Sequence, residues 1–239
     1  MFELADMMEE ENIHDLVIDA NTSPDRFIGR FLQSMTQLHT LVIKNRLKTS
    51  VVESLCDLLN HPCTEQLTTL QLSDNHLVQE ECKLILEAAA NHCKSIEKLS
   101  LDNNEVNISA LNQLLHESPS LETLRLKWNG FDSESFKELS SGLEQSASLK
   151  KLFIEENHIG DDGAIALFSA LANANSVEYL FLQKTEITSG AAEEIGKVLS
   201  RFSTIENLCM PSNSSGDDGM NAISAALELK NLTEVDLSN

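Results

Sequence analysis

Basic residues are scarce in this chain of 239 residues. It has 17 Lys and Arg against 38 Asp and Glu, which gives a formal net charge of −21 at pH 7. A surface that binds nucleic acid or an anionic membrane needs a net basic face. The composition therefore argues against both of these partners, and it predicts a chain that attracts basic partners over a distance.

Secretion signals and long apolar runs are also lacking. The N-terminal segment is acidic and has no apolar core, so it does not have the pattern of a signal peptide. No apolar run approaches the roughly 20 residues of a membrane span. The five cysteines are odd in number and form no C-x-x-C pair, which does not suggest a disulfide framework. We therefore expect a reducing compartment and a cytoplasmic protein.

Known catalytic motifs are missing as well. The sequence contains no P-loop, no G-x-S-x-G and no H-E-x-x-H motif. The paired acids Asp161 and Asp162 precede a predicted helix, where carboxylates complement the helix dipole, and we interpret them in that way. We predict that the chain has no catalytic residue, holds no metal and needs no cofactor.

What the sequence does have is a repeat. The pattern L-x-x-L-x-L-x-x-N recurs along the chain, most clearly from Leu67 to Asn75 and from Leu149 to Asn157. The copies start at residues 13, 38, 67, 96, 121, 149, 177, 205 and 232, in steps of 25 to 29 residues. A fixed period of this length is typical of leucine-rich repeats, which stack into a solenoid.

Each repeat predicts a strand followed by a helix. Apolar residues at positions four and six alternate with polar ones, as in a short strand with one buried face. The asparagine at position nine is expected to bond backbone groups of adjacent coils. Arg46 and Thr185 replace it in repeats two and seven, which we expect to be weaker or differently bonded.

With these motifs, the chain resembles the ribonuclease-inhibitor-like family of leucine-rich-repeat proteins over residues 13–239. The resemblance implies an α/β solenoid shaped as a horseshoe, with a parallel β-sheet on the concave side and helices on the convex side. It implies about eight full repeats and a terminal strand. Members of that family include inhibitors, immune sensors, activators of the Ran GTPase and effectors of intracellular bacteria, so the fold does not determine the function.

The two ends of the chain are predicted to differ. We expect residues 1–12 to form a capping segment, and residues 13–239 to form a single leucine-rich-repeat domain. The sequence stops inside a repeat at Asn239 with no polar cap. Either the chain is a fragment of a longer protein, or the last strand is exposed or paired with another molecule, which makes self-association at this end possible.

Positions three, five and seven of each strand are predicted to line the concave face, with position eight at its rim. In repeats five to seven these positions hold the chain's single Trp and single Tyr, two phenylalanines and four bases. We call this set the basic-aromatic patch: Arg125, Lys127, Trp128, Lys151, Phe153, Tyr179, Phe181 and Lys184. Of these residue types, Trp, Tyr and Arg are enriched in interface hot spots. We predict a non-enzymatic interaction module whose patch binds an acidic or amphipathic segment of a protein partner; alternatively, the rings merely rigidify the sheet.

Two other functions remain open. By resemblance to the Ran activators, Arg46 could act as an arginine finger of a GTPase-activating protein, unless the register slips and Asn45 takes the asparagine position. The chain could also be a sensor or spacer module of a larger protein, such as a secreted bacterial effector in the host cytosol. His14 and His39 occupy the same position of adjacent repeats and are expected to be neighbours, but a third metal ligand is not evident.

Overall fold

The structure is a computed structural model that describes residues 14–20, 37–214, 216–227 and 233–238. The chain divides into two compact units, the first ending at Leu121 and the second beginning at Glu122. The single repeat domain over residues 13–239 stays a prediction. The predicted capping segment, residues 1–12, lies outside the described residues.

Strands and helices alternate in both units. The first unit contains β1 (Asp15–Asp19), β2 (Thr40–Lys44), α1 (Thr49–Leu59), a 3-10 turn (Pro62–Thr64), β3 (Thr69–Gln71), α2 (Gln79–His92), β4 (Lys98–Ser100) and α3 (Ile108–Glu117). The second contains β5 (Thr123–Arg125), α4 (Ser133–Glu144), β6 (Lys151–Phe153), α5 (Gly160–Ala174), β7 (Tyr179–Phe181), α6 (Ser189–Leu199), β8 (Asn207–Cys209), α7 (Gly216–Leu227) and β9 (Glu234–Asp236).

Within each unit the strands are parallel, and each pairs with the next strand along the chain. In the first unit Leu41 is opposite Leu70, which is opposite Leu99. In the second unit position four is aligned from Leu124 on β5 to Val235 on β9. The repeat starts read from the sequence give this same register, so the α/β leucine-rich-repeat prediction is confirmed at the level of strand pairing.

The core is built from repeated apolar positions. In repeat three, Leu67, Leu70 and Leu72 at positions one, four and six are fully buried. Each helix adds one apolar stripe, as Leu167 and Phe168 do in α5. Complete burial of such a side chain stabilises the fold by roughly 1.5–3 kcal/mol, and the repeat multiplies that contribution along the chain.

A buried asparagine at position nine joins neighbouring repeats. The Nδ2 of Asn75 donates to Ile43 O at 2.7 Å and to Leu72 O at 2.9 Å, while its Oδ1 accepts from Leu47 N at 2.9 Å. These bonds pair backbone groups that water does not reach. Donation to the carbonyls of the same and the preceding repeat recurs at Asn104, Asn157 and Asn213.

Repeat seven is bonded differently, as predicted. Thr185 takes position nine and is buried. Its Oγ1 donates to Leu182 O at 2.8 Å, which satisfies the carbonyl of its own repeat. Its backbone N–H donates to Asn213 Oδ1 at 3.0 Å, so the asparagine of the next repeat supplies the acceptor for this amide.

Repeat two is one residue shorter at the same turn. Leu47 directly follows Arg46 and donates its amide to Asn75, whereas in repeat three Leu77 follows position nine by two residues to reach Asn104. Arg46 is therefore exposed at the surface. Asn45 is only half-buried, unlike the fully buried Asn75, because the shorter turn leaves no inward slot for either side chain.

Candidate protein-binding face

The residues of the basic-aromatic patch all lie in the second unit. They occupy β5, β6, β7 and the turns that follow these strands. The register places Thr123, Lys151 and Tyr179 side by side, and it aligns Arg125 with Phe153 and Phe181 in the same way. Residues distant in sequence thus form two rows that run across the strands.

Position five of these strands forms a stacked column. The rings of Phe153 and Phe181 are 4.5 Å apart at their centroids, with an interplanar angle of 4°. The guanidinium carbon of Arg125 lies 4.5 Å from the centroid of Phe153, a cation–π distance. Neighbouring strands are about 4.8 Å apart, close to the separation that stacked groups prefer, so the sheet itself sets the stacking.

Position three forms a second contact between a base and a ring. The Nζ of Lys151 lies 4.9 Å from the centroid of the Tyr179 ring. The Tyr179 hydroxyl donates to Glu206 Oε2 at 3.3 Å. The negative charge of Glu206 raises the pKa of Tyr179, which favours the protonated, donating form of the phenol further.

Position eight brings the tryptophan to the rim. Trp128 is 51% exposed, and the Nζ of Lys127 lies 5.0 Å from its ring centroid. Lys184 Nζ is 2.8 Å from Glu156 Oε1. The hydrogen bond from Lys184, with a smaller contribution from Trp128, holds the pKa of Glu156 below its ordinary value.

The patch is contiguous, and it is less basic than its eight residues alone suggest. Glu156 and Glu206 bond to patch residues and offset part of the positive charge. Sequence reasoning missed Glu156 because it selected only rings and bases at positions three, five, seven and eight, and it missed Glu206 because position two was not among them. The signal was present, since Glu156 occupies the same position eight as Trp128 and Lys184.

The two interpretations of the patch predict different surroundings for its rings. Rings that bind a partner should be accessible to solvent, whereas rings that only rigidify the sheet should pack on one another. Phe153, Phe181 and Tyr179 are half-buried, since they pack on one another and on the bases. Trp128 is the large apolar side chain of the patch that stays mainly exposed. The face therefore combines an ordered, self-packed centre with an accessible aromatic rim.

Other candidate sites are accounted for by structural bonds. Asp161 and Asp162 lie in the first turn of α5, as interpreted from the sequence. Asp161 accepts from Thr188 N at 2.7 Å, and Asp162 pairs with Lys137 at 3.2 Å. Both carboxylates thereby connect neighbouring repeats instead of forming an open acidic pair.

The two histidines expected to be neighbours do touch. The rings of His14 and His39 have centroids 4.8 Å apart and meet edge to face. A third ligand does not join them, and among the described residues no group of three or more His, Cys, Asp or Glu is placed to hold a metal ion.

The cysteines are free and poorly suited to nucleophilic chemistry. Burial raises the pKa of Cys82 to about 12 and that of Cys93 to about 11. Cys209 lies half-buried on the face of the sheet, where burial and then the charge of Asp236 raise its thiol pKa. Since the thiolate is the reactive form, burial lowers the reactivity of these thiols at neutral pH.

Arg46 lies beside a shallow cavity in the first unit. Its neighbour Asn45 contributes to a space of about 210 Å³ that is also lined by Val42, Ile43, Lys44, Gln71, Ser73 and Asp74. Arg46 and Asn45 both have positive φ, 64° and 67°.

In the part of the chain that the structure describes, helices long and apolar enough to cross a membrane are not found.

Comparison with known proteins agrees with this repeat. A model of the leucine-rich repeat matches residues 145–168, from just after α4 through β6 and into α5. The fold is a leucine-rich-repeat solenoid. No curated protein sequence matches this leucine-rich-repeat chain, and the closer resemblance to the ribonuclease-inhibitor-like group stays a prediction.

Several solved structures are similar to this leucine-rich-repeat chain. A chain of the yeast Rad7–Elc1 complex has a TM-score of 0.63 at 16% identity, over 96% of this chain and 57% of its own length. The tropomodulin C-terminal domain of Caenorhabditis elegans has a TM-score of 0.47 at 18% identity, over 74% and 91%. Actin-binding site 2 of leiomodin-1 has a TM-score of 0.48 at 16% identity, over 76% and 90%. At 16% identity, the similarity to the chain of the Rad7–Elc1 complex supports the fold and nothing beyond it.

Proposed function

We propose that this leucine-rich-repeat chain is a non-enzymatic module that binds a protein partner through the basic-aromatic patch. The observation that carries the proposal is the column of Arg125, Phe153 and Phe181, flanked by the exposed ring of Trp128. Fold similarity to a chain of a two-protein complex, Rad7 with Elc1, is in keeping with a role in protein assembly.

The stacked centre favours binding for an entropic reason. Side chains immobilised at an interface cost about 0.5–1.5 kcal/mol each when they are free beforehand. In the patch, Phe153 and Phe181 already restrain each other, and Arg125 and Lys151 each lie over a ring. A partner therefore meets groups that have little freedom left to lose, which raises its affinity.

The chemistry of the patch favours an acidic or amphipathic partner segment. Lys151 is exposed and carries its charge beside the ring of Tyr179. Arg125 presents a guanidinium that is always charged and that pairs well with carboxylates. Apolar side chains of the partner can pack on the exposed ring of Trp128. A segment with both acidic and apolar residues therefore fits the patch better than a purely acidic one.

The double variant Trp128→Ala with Lys151→Glu tests this function. Both side chains lie at the surface of the patch, so we expect the melting temperature to change little and partner capture to be lost. The matched control is Lys98→Glu, because Lys98 is exposed at the same position three of β4 in the first unit. Retention of every captured protein by the double variant contradicts the proposal.

We also propose a cytoplasmic location. Five free cysteines, with burial raising the thiol pKa of Cys56, Cys82 and Cys93 to about 11 or 12, suit a reducing compartment. Fractionation of expressing cells, followed by detection of the chain with a reporter tag, tests the location. Recovery in an oxidising compartment contradicts it.

A second candidate function rests on Arg46. Its exposure in the turn after β2, beside the cavity lined by Lys44 and Asp74, is compatible with an arginine finger of a GTPase-activating protein. GTP hydrolysis by a panel of small GTPases should then rise when the chain is added. Stimulation that persists unchanged in Arg46→Ala excludes this role for Arg46.

A further inference from the structure

The sheet face of the second unit changes sign from one edge to the other. Arg125 at position five ends β5, and Lys127 at position seven lies in the turn that follows it. On β9, positions three and five are the acids Glu234 and Asp236. At position five the face therefore changes from a positive charge on β5 to a negative charge on β9, with Lys151 and Glu155 as further charges on the strand and turn between them.

Position five links the two ends in a single row. The register aligns Arg125, Phe153, Phe181, Cys209 and Asp236 on successive strands. The row begins with a cation, continues with two stacked rings and a neutral thiol, and ends with an anion. Four strand steps of about 4.8 Å give a length of roughly 19 Å.

The anionic end is set up by local bonds. The backbone N–H of Ser238 donates to Asp236 Oδ1 at 3.0 Å, which keeps that carboxylate oriented and charged. Asn207 Nδ2 donates to Glu234 Oε2 at 2.7 Å, and Glu234 is exposed. Both carboxylates belong to residues that retain solvent access.

The two ends act independently because they are far apart. Their separation of roughly 19 Å exceeds the Debye length of about 8 Å at physiological salt, so neither end neutralises the other. Each end therefore selects its own partner charge. The middle of the row is also asymmetric, since Phe181 has the ring of Phe153 on one side and the much smaller Cys209 on the other.

We propose that this row binds an extended partner segment that crosses the strands with fixed polarity. The acidic end of the segment lies over Arg125 and Lys127, its apolar centre lies over Phe153 and Phe181, and an arginine or lysine lies over Glu234 and Asp236. At about 3.3 Å per residue, a row of roughly 19 Å accommodates about six residues. The inference rests on the proposed function and adds the charge order of the segment.

Synthetic peptides of seven residues test the charge order by fluorescence anisotropy. The dipolar peptide has two glutamates, three apolar residues and two arginines in that order. A control peptide of the same composition carries one glutamate and one arginine at each end, and a third peptide carries glutamates at both ends. We expect the dipolar peptide to bind about tenfold more tightly than either of the others, since it alone matches both ends of the row.

The double variant Glu234→Lys with Asp236→Lys should reverse this order, so that the peptide with glutamates at both ends binds most tightly. The control variant Glu53→Lys with Glu80→Lys adds the same four units of charge on exposed helix positions of the first unit and should keep the original order. Circular dichroism confirms that each variant is folded.

Three results overturn the charge order, and each leaves the proposed function to be tested separately. The first is equal binding of all three peptides, and the second is an order of affinities that the lysines on β9 do not change. The third is binding by none of the peptides below about 1 mM, the range of negligible affinity. In each of these cases the double variant Trp128→Ala with Lys151→Glu decides the proposed function. If it still loses partner capture, the patch binds its partner in another way. If its partner capture is unaffected, the proposed function fails as well.

Discussion

The substitution Asn157→Ala tests the asparagine ladder most directly. Asn157 is fully buried, and its Nδ2 donates to Leu126 O and Ile154 O, each at 2.9 Å. Its Oδ1 accepts from Asn129 N at 3.0 Å and Phe131 N at 3.2 Å. Alanine leaves these backbone groups without their partner in a region that water does not reach.

The expected cost follows from the number of groups affected. Each buried polar group left unpaired costs about 1–3 kcal/mol, and local relaxation recovers part of a sum over four groups. We therefore expect the free energy of unfolding to fall by about 3–5 kcal/mol, the range of a broken buried network. With a typical urea dependence of about 2–3 kcal/mol per molar, the unfolding midpoint falls by more than about 1 M.

Urea unfolding followed by circular dichroism measures the change, with two comparisons. Asn173→Ala removes an exposed asparagine that donates to Glu144 at 3.0 Å, and it should shift the free energy by less than about 0.5 kcal/mol. Asn157→Thr should cost less than Asn157→Ala, because Thr185 already bonds its own carbonyl at this position. A loss below about 1 kcal/mol for Asn157→Ala refutes the ladder as a main source of stability.

Four further predictions follow from individual contacts. Lys184 holds the pKa of Glu156 below its ordinary 4.5, so the contribution of this pair to stability is present above pH 4.5 and is lost as the pH falls through the lowered value. Glu156→Gln should therefore flatten the fall of melting temperature between pH 5 and about pH 3. An unchanged slope contradicts this. A disulfide reagent at pH 7 should label Cys82, whose pKa is about 12, only after unfolding, and equal labelling rates in folded and unfolded chains disprove its protection. The double variant Phe181→Gln with Gln183→Phe exchanges a side chain on β7 with one in the turn after it, which keeps the composition but breaks the stack with Phe153. The dipolar peptide should then bind at least tenfold more weakly, while the helix signal in circular dichroism is retained. Arg46→Ala should change the free energy of unfolding by less than about 0.5 kcal/mol, since Arg46 is exposed, and a larger loss assigns it a structural role.

The strand register could be read from the sequence because it depends on burial alone. Leu124, Leu152, Leu180 and Leu208 must all face inwards, and their spacing leaves one alignment of the strands that achieves this. The placement of Phe153 beside Phe181 follows from that alignment. The length of the turn after each strand was harder to predict. An exposed Arg46 and a buried asparagine need different backbone conformations at this turn, and the leucine pattern does not encode which of them forms.

The charge pairs of the patch could not be read in the same way. Lys184 pairs with Glu156 at the same position of the preceding repeat, and Tyr179 pairs with Glu206 at a different position of the next repeat, so each bond joins two repeats. Long side chains reach several neighbours, and small differences in solvation decide which contact forms. The sequence predicted which residues share the face, while the resulting balance of charge needed the side-chain positions.

A repeated strand spacing gives the face its chemical order. Since each repeat advances by one strand, a single position contributes one side chain about every 4.8 Å, which is near the distance between stacked rings. Arg125, Phe153 and Phe181 use this coincidence to form an ordered column without any bond between distant loops. Cys209 and Asp236 continue the row with a small and then a charged side chain. Substitutions at position five therefore change the chemistry of the face without touching the inward leucines; if the proposed function holds, we expect partner preference to vary while the core stays the same.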